Sequence, residues 1–316
     1  MNEKLLHFIN NSFLRELLND DCITDISYNG VSVFYLHNRK GRIKADINVS
    51  SNYVLDFIRQ IANYSEKQFS FTNPFLDISV GKYRLNAVHP SIVRVKNDKA
   101  CSFSMRISSE ESRISNDYDF INEKCRSYLK EALLLGKSIV ISGSTGSGKT
   151  ELQKFLMLNL QKNTRVIVID NIEELEYVRV NEDIDLTSWQ VSQNNTSASI
   201  QELVRNALRS NPDWLIVAES RGKEMNEVLN SVMTGHPIIT TLHSESLEDI
   251  PQRICRMVEM AETSEKHENI LNDIFDHIKI CVFLKKEITG SGVKRYVESI
   301  AELQKDHSMK IIYKRR

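Results

Sequence analysis

The sequence predicts an α/β chain of two parts. A smaller α+β domain covers residues 1–107, a polar linker 108–120, and an α/β P-loop domain 121–316. Three observations carry this. Residues 139–150 read Ile-Val-Ile-Ser-Gly-Ser-Thr-Gly-Ser-Gly-Lys-Thr, and Gly143 to Thr150 fits G-x-x-x-x-G-K-[ST], the phosphate-binding loop. Beyond it, strand-length apolar runs alternate with helical periodicity, as in a parallel α/β sheet. Before residue 108, short strands and turn signals dominate, as in an antiparallel sheet carrying helices.

Taken in order, residues 1–19 predict one amphipathic helix with Leu6, Ile9, Phe13 and Leu17 on one face. Strands at 23–28 and 31–36 flank Asn29-Gly30, a strong hairpin signal. Residues 38–41 offer a second turn, before a strand at 42–47. A helix over 53–64 has Val54, Phe57, Ile58 and Ile61 apolar, and strands follow at 76–80, 84–88 and 102–107. The polar, unpatterned stretch 108–119 reads as linker. A helix over 121–135 closes at Gly136, in the role of a helix C-cap.

The strand at 139–141 then feeds the P-loop, and a helix follows over 151–161. A buried strand at 165–169 ends at Asp170. Ser199-Ile200-Gln201-Glu202 is a capping box that opens a helix, and Asn211-Pro212 stops it. A strand at 214–218 ends at Glu219, a helix over 223–234 closes at Gly235, and a strand at 238–242 ends at His243. Two helices (247–261, 265–277) and three strands (279–285, 294–303, 309–313) complete the chain. There is no internal repeat.

Each piece of the P-loop has a physical task. Gly143, Gly146 and Gly148 let the backbone fold back with its N–H groups inward, forming a nest for an anion. The following helix aims its positive end at the same point. Lys149 adds charge at the β/γ-phosphates and the Thr150 hydroxyl ligates Mg²⁺. Gly143, Ser144, Thr145, Gly146, Ser147, Gly148, Lys149, Thr150 and Glu151 are therefore the candidate ATP-binding residues, with Thr150 and Glu219 the candidate metal ligands.

Composition narrows the class. Lys and Arg number 41 against 42 Asp and Glu, for a net charge of −1, so no basic field argues for direct nucleic-acid binding. The five cysteines are scattered without a C-x-x-C pair, which suggests neither zinc nor a redox motif; they read as buried free thiols in a reducing compartment. No apolar run reaches the roughly 20 residues needed to span a bilayer, and polar residues interrupt any signal-peptide core. The expectation is a cytoplasmic protein, peripheral if it works at a membrane.

Ligands of open α/β sheets sit outside the carboxyl ends of the strands. There Glu219 fits the Walker-B logic, a rigid strand placing an acid beside Mg²⁺. Asp170, with Glu173 and Glu174 close behind, offers carboxylates that could polarise an attacking water. His243 could sense the γ-phosphate or hold that water.

The order of these pieces resembles the secretion superfamily ATPases of type II and type IV secretion, type IV pili and conjugation. The resemblance rests on the P-loop, on Ile-Asp-Asn-Ile-Glu-Glu-Leu, on Leu-Arg-Ser-Asn-Pro-Asp-Trp-Leu-Ile-Val-Ala-Glu-Ser-Arg-Gly, and on Thr-Gly-His-Pro-Ile-Ile-Thr-Thr-Leu-His-Ser. Weaker matches at 73–88 and 103–107 point to the conjugation (VirB-type) and CpaF-like branch. The four-cysteine zinc insert of many type II ATPases and the Ala-Ile-Arg-Leu-Val segment of retraction motors are not found.

The resemblance implies a RecA-like ATPase domain, a homo-oligomer in the form of a hexameric ring, and an inner-membrane platform protein as partner. It also implies that Arg84 and Arg106 of the first domain reach the phosphates. Asp170 and Asn171 depart from the usual Glu-Asp of this box, while Glu174 keeps the pattern; Ala218 and Ser220 also depart, while Glu219 and Arg221 are kept. The expected activity is Mg²⁺-dependent ATP hydrolysis driving a secretion, pilus or conjugation machine. The rivals are an ATP-binding assembly scaffold, a RecA-like DNA translocase and a small-molecule kinase.

Overall fold

The structure is a computed structural model describing residues 2–109, 111–170, 175, 178, 182–191, 198–262, 265–290 and 292–315. The chain divides into two compact units: residues 1–110 with 288–294, and residues 111–287 with 295–316.

The first unit holds α1 (Asn2–Asn10), α2 (Arg15–Leu18), β1 (Ile23–Tyr28), β2 (Val33–His37), β3 (Gly41–Lys44), α3 (Ser51–Tyr64), β4 (Phe75–Val80), β5 (Tyr83–Val88), the short β6 (Arg94–Val95) and β7 (Asp98–Lys99), and β8 (Ser102–Ile107). Six strands form an antiparallel sheet in the order β3-β2-β1-β8-β5-β4. Strand alternation puts Leu76, Ile78, Leu85, Ala87, Phe103 and Met105 on one face, where they pack with Val54, Phe57, Ile58 and Ile61 of α3. Ser50 caps α3 by accepting the Tyr53 N–H at 3.2 Å.

The predicted single N-terminal helix is instead two. The Asn11 amide donates to His7 O at 2.9 Å and Ser12 Oγ accepts the Leu14 N–H at 3.2 Å. These side chains offer the backbone a local alternative to the helix ladder. The Asn29-Gly30 hairpin closes with four residues rather than two. Tyr28 pairs Val33, and Asn29 Oδ1 accepts the N–H groups of Val31 and Ser32 at 3.0 and 2.9 Å.

The second unit holds α4 (Glu123–Leu134), β9 (Ile139–Gly143), α5 (Lys149–Met157), β10 (Arg165–Asp170), β11 (Asp185–Gln190), α6 (Ile200–Leu208), β12 (Trp214–Val217), α7 (Met225–Met233), β13 (Ile238–Leu242), α8 (Ile250–Glu259), α9 (His267–His277), most of β14 (Ile280–Thr289) and β15 (Gly292–Leu303), and β16 (Met309–Lys314). Its sheet runs β11-β10-β12-β13-β9-β14-β15-β16, and β11 through β14 are joined by parallel pairings. Both faces of its central strands are covered, so β9, β10, β12 and β13 are almost wholly buried and read as largely apolar runs rather than alternating. Ile139, Ile141, Val168 and Ile216 pack with Leu129 of α4 and Leu152, Phe155 and Leu156 of α5. Val140, Ile167, Leu215 and Val217 face the opposite layer, with Val204, Val228, Ile254 and Ile274 of α6 to α9.

Three boundaries differ from the sequence reading. Strand β11 at the sheet edge was not expected; its residues are exposed or half-buried, and all but Leu186 and Trp189 are polar. The turn 288–294 belongs to the first unit, where the Val293 N–H donates to Arg39 O at 2.8 Å. The expected linker 108–120 is largely part of the second unit: Ser112, Ile114 and Phe120 are buried there. Arg126, 4% exposed, organises this stretch. It donates to Ser115 O and Ile114 O at 2.7 Å, Ile121 O at 2.8 Å and Asp117 O at 3.1 Å. The polar sequence hides its fold because its partners are backbone carbonyls, which leave no side-chain pattern.

Arg126→Met keeps much of the stem but leaves these carbonyls unpaired. It should destabilise the second unit by about 2–4 kcal/mol. Both tryptophans, Trp189 and Trp214, lie in that unit. Tryptophan fluorescence in urea therefore reads the effect, and an unchanged midpoint would contradict the role given to Arg126.

Candidate active site

Three parallel neighbours bring the predicted residues together. β13 lies between β12 and β9, with Val217 opposite Thr240 and Leu242 opposite Ser142. Glu219 and His243, just past the ends of β12 and β13, therefore arrive at the edge where β9 enters its glycine-rich turn. Helix α5 is tied to the same strands by Gln153, whose Nε2 donates to Val217 O at 3.0 Å and Ile239 O at 3.3 Å.

The turn needs its glycines. Gly146 and Gly148 have φ of 72° and 101°, and Gly143 has φ 151°. A Cβ on Gly143 would lie 2.5 Å from Leu284 O, and one on Gly148 would lie 2.7 Å from the Phe120 ring. Strand β14 and the 111–120 segment thus hold the backbone tightly on both sides. Arg295 of β15 donates from Nε to Gly146 O at 2.7 Å, fixing the tip of the loop.

Inside the turn, Lys149 is 8% exposed. Its ammonium donates to Gly143 O at 3.0 Å and Ser144 O at 3.2 Å, and lies 3.2 Å from His243 Nδ1. His243 Nε2 is 2.9 Å from Glu219 Oε1, and Arg221 Nη2 is 2.7 Å from Glu219 Oε2. His243 Nδ1 is also 3.0 Å from Gly143 O, so the imidazole, the Lys149 ammonium and the loop carbonyl share one polar cluster. A row Lys149–His243–Glu219–Arg221 results.

Burial lowers the Lys149 pKa to about 8; the Glu219 charge pulls it back up and Arg221 pushes it further down. Burial acts to raise Glu219, but its bond to Arg221 and the nearby positive charge prevail and hold it below the ordinary carboxylate range. Ser147 Oγ is buried with no hydrogen-bond partner among the described residues. A buried ammonium, a buried hydroxyl without a partner and a glycine-lined turn fit a phosphate group.

The structure places the remaining predicted residues less uniformly. Thr150 is half-buried in the first turn of α5. Glu151 is turned to the 111–120 segment, where its carboxylate accepts the Arg113 N–H at 2.7 Å. Asp170 ends β10, 2% exposed, and its Oδ2 accepts the Leu175 N–H at 2.8 Å. Glu174 and Glu173 lie outside the described residues. Arg84 and Arg106 sit in the first unit as register partners on β5 and β8, with Asp25 opposite Arg106 and Asp77 Oδ2 3.9 Å from Arg84 Nη2.

Arg221 and Arg295 were not among the sequence candidates. Arg221 carried a signal, two residues beyond Glu219. Arg295 carried none, being 149 residues from the loop it holds. Among the described residues no helix is long and apolar enough to cross a membrane.

Residues 95–308 match the model of the type II/IV secretion system protein family. An uncharacterized protein of Bacillus anthracis is 30% identical over 290 residues, which are 89% of this chain and 64% of that protein. The type IV secretion system protein VirB11 of Bartonella quintana is 26% identical over 233 residues, which are 63% of this chain and 65% of VirB11. The chain thus spans just under two thirds of the length of these relatives. Among solved structures, the ATPase DotB of Legionella pneumophila superposes with a TM-score of 0.68 at 21% identity, over 93% of this chain and 80% of DotB. The fold is that of a RecA-like P-loop core preceded by a smaller α+β domain.

The low Lys149 pKa fixes how anion binding depends on pH. Its folded value, about 8, lies below the ordinary 10.5, so its charge is present below about pH 8 and is lost as pH rises through that value. ADP affinity should therefore fall between about pH 7 and pH 9, by up to tenfold per unit above the pKa, with proton uptake on binding. Calorimetry in two buffers of different ionisation heat checks both. An affinity flat across this range with no proton uptake would contradict the assignment.

Proposed function

The chain belongs to the type II/IV secretion system protein family, and on that premise we propose that it is a Mg²⁺-dependent ATPase powering a secretion, pilus-assembly or conjugation machine. The observation that carries this reading is the row Lys149–His243–Glu219–Arg221, set against the carbonyls of the glycine-rich turn. Phosphoryl transfer to water needs positioned charge more than covalent chemistry from the protein, and this row supplies it.

In this reading Lys149 leaves the Gly143 and Ser144 carbonyls for the β/γ-phosphate oxygens, and the Ser147 hydroxyl and loop N–H groups complete the nest. Thr150 and Glu219 would hold Mg²⁺, which when bound neutralises charge on the phosphates. Glu219 keeps its negative charge under the influence of Arg221, the state a metal-side carboxylate needs. His243 stands between Glu219 and Lys149, with its ring nitrogens 2.9 and 3.2 Å from them. Asp170 or Glu174 would orient the attacking water. Arg84 and Arg106 would add charge at the γ-phosphate. The working form is proposed to be a hexameric ring in the cytoplasm, at the inner face of the membrane, acting on a platform protein.

A second reading is an ATP-binding scaffold with little turnover. The commitment of the Asp170 carboxylate to the Leu175 N–H favours it. Phosphate release under saturating ATP decides between the two. Wild type should release phosphate steadily and Lys149→Ala should release none. Glu219→Gln should bind ATP yet turn over about 10²–10⁴-fold more slowly. Equal turnover in all three would remove the site from the reaction, and a silent wild type would favour the scaffold.

The arginines give a separate test. Inserted arginines are worth about 10³–10⁵ in turnover in other P-loop enzymes, and a smaller loss is expected per residue where two share the task. Arg84→Ala and Arg106→Ala should each slow turnover while leaving ADP affinity unchanged, because ADP lacks the γ-phosphate. Unchanged turnover in the double variant would exclude a catalytic role for the first unit.

A further inference from the structure

Three side chains of different chemistry meet away from the P-loop row, where helix α8 ends and α9 begins. Cys255 and Glu259 stand one helical turn apart on α8, at positions i and i+4 that share a face. His267 is the first residue of α9. Cys255 Sγ lies 3.3 Å from His267 Nδ1 and 3.9 Å from Glu259 Oε1, and His267 Nδ1 lies 2.7 Å from the same Oε1. Their ligand atoms all fall within 4.8 Å of one another.

We propose that Cys255, Glu259 and His267 form a site for a thiophilic divalent cation of the zinc class. Zinc binds sulfur at about 2.3 Å, imidazole nitrogen at about 2.0–2.1 Å and carboxylate oxygen at about 2.0–2.2 Å. Tetrahedral ligands at those distances stand roughly 3.4 Å apart, from the bond lengths alone. The three separations here, 2.7, 3.3 and 3.9 Å, bracket that value. Small side-chain rotations suffice to admit the ion.

The donor set selects the class of cation. A sulfur with an imidazole and one carboxylate oxygen suits zinc and its neighbours, whereas magnesium and calcium take oxygen ligands. Cys255 is fully buried, while the side chains of His267 and Glu259 are 50% and 40% exposed, so sulfur forms the floor and the ion has a way in. Coordination forms S–metal, N–metal and O–metal bonds; the thiol proton passes to solvent, and the neutral imidazole carries its one proton on Nε2 so that Nδ1 ligates. A water would take the fourth position.

The consequence is mechanical. Helices α8 and α9 contribute Ile254, Met257, Ile270 and Ile274 to one core layer. A bound ion would pin the end of one helix to the start of the next, and so fix that layer beneath strands β12 and β13. A second grouping, Asp20, Cys22 and His37 in the first unit, is less suited. His37 Nδ1 already accepts the N–H groups of Arg39 and Lys40 at 3.1 and 3.2 Å, and Asp20 accepts that of Cys22 at 2.9 Å.

The test is titration of the nucleotide-free full chain with Co²⁺ and Zn²⁺. Cobalt should give a near-ultraviolet thiolate charge-transfer band that saturates at one equivalent, and zinc should displace it and raise the melting temperature. Cys255→Ser should abolish the band, and His267→Ala, a change at an exposed side chain that spares the core, should weaken binding more than about 100-fold, since loss of even an outer-shell partner costs about 10–100-fold. Cys22→Ser should bind as wild type does. The proposal is overturned if the wild type shows no thiolate band, if His267→Ala binds as tightly as the wild type, or if Cys22→Ser rather than Cys255→Ser removes the band.

Discussion

Parallel register across β10, β12, β13 and β9 is the constraint on which the rest of this molecule depends. Parallel strands end on the same edge of a sheet, so whatever follows each strand is delivered to one line. Here the line receives Asp170, Glu219, His243 and the glycine-rich turn, residues spread over about a hundred positions of sequence. The register also explains the composition of the strands. With helices on both faces these four strands are buried and largely apolar, and their charged groups lie at the strand ends.

At that edge, electrostatics and backbone geometry are one problem. Lys149 can be buried because carbonyls of its own loop accept from it and a carboxylate lies one imidazole away. The loop in turn can form only where glycines allow left-handed torsions and leave room for Phe120 and Leu284. The low pKa of Lys149 is the residue of this compromise: the carbonyls do not fully replace water, and an arriving anion would.

Arg126 plays a comparable part through backbone carbonyls. Its guanidinium gathers four backbone carbonyls from a stretch with little apolar content, and the Tyr118 and Phe155 rings lie 4.5 and 5.1 Å from it. That stretch then closes the back of the P-loop through Phe120 on Gly148 and through Arg113 on Glu151. The segment that reads as a connector is therefore part of the wall of the site.

The sequence by itself determined the class of fold, most elements and the centre of the site. Strands β1, β8 and β13 have the limits their apolar runs predicted, and the strand–turn–helix around Lys149 follows from local spacing. Such features are legible because they depend on neighbours in the chain: periodicity, turn residues, a cap at Ser199 bonded to Glu202 N–H. What only the tertiary structure decided depends on partners far away. The edge strand β11, the folding of 111–120 onto Arg126, the hold of Arg295 on Gly146 and the meeting of Cys255 with His267 leave no periodic trace. Their contacts are made to backbone atoms or across helix ends, and a backbone carbonyl looks the same at every position of a sequence.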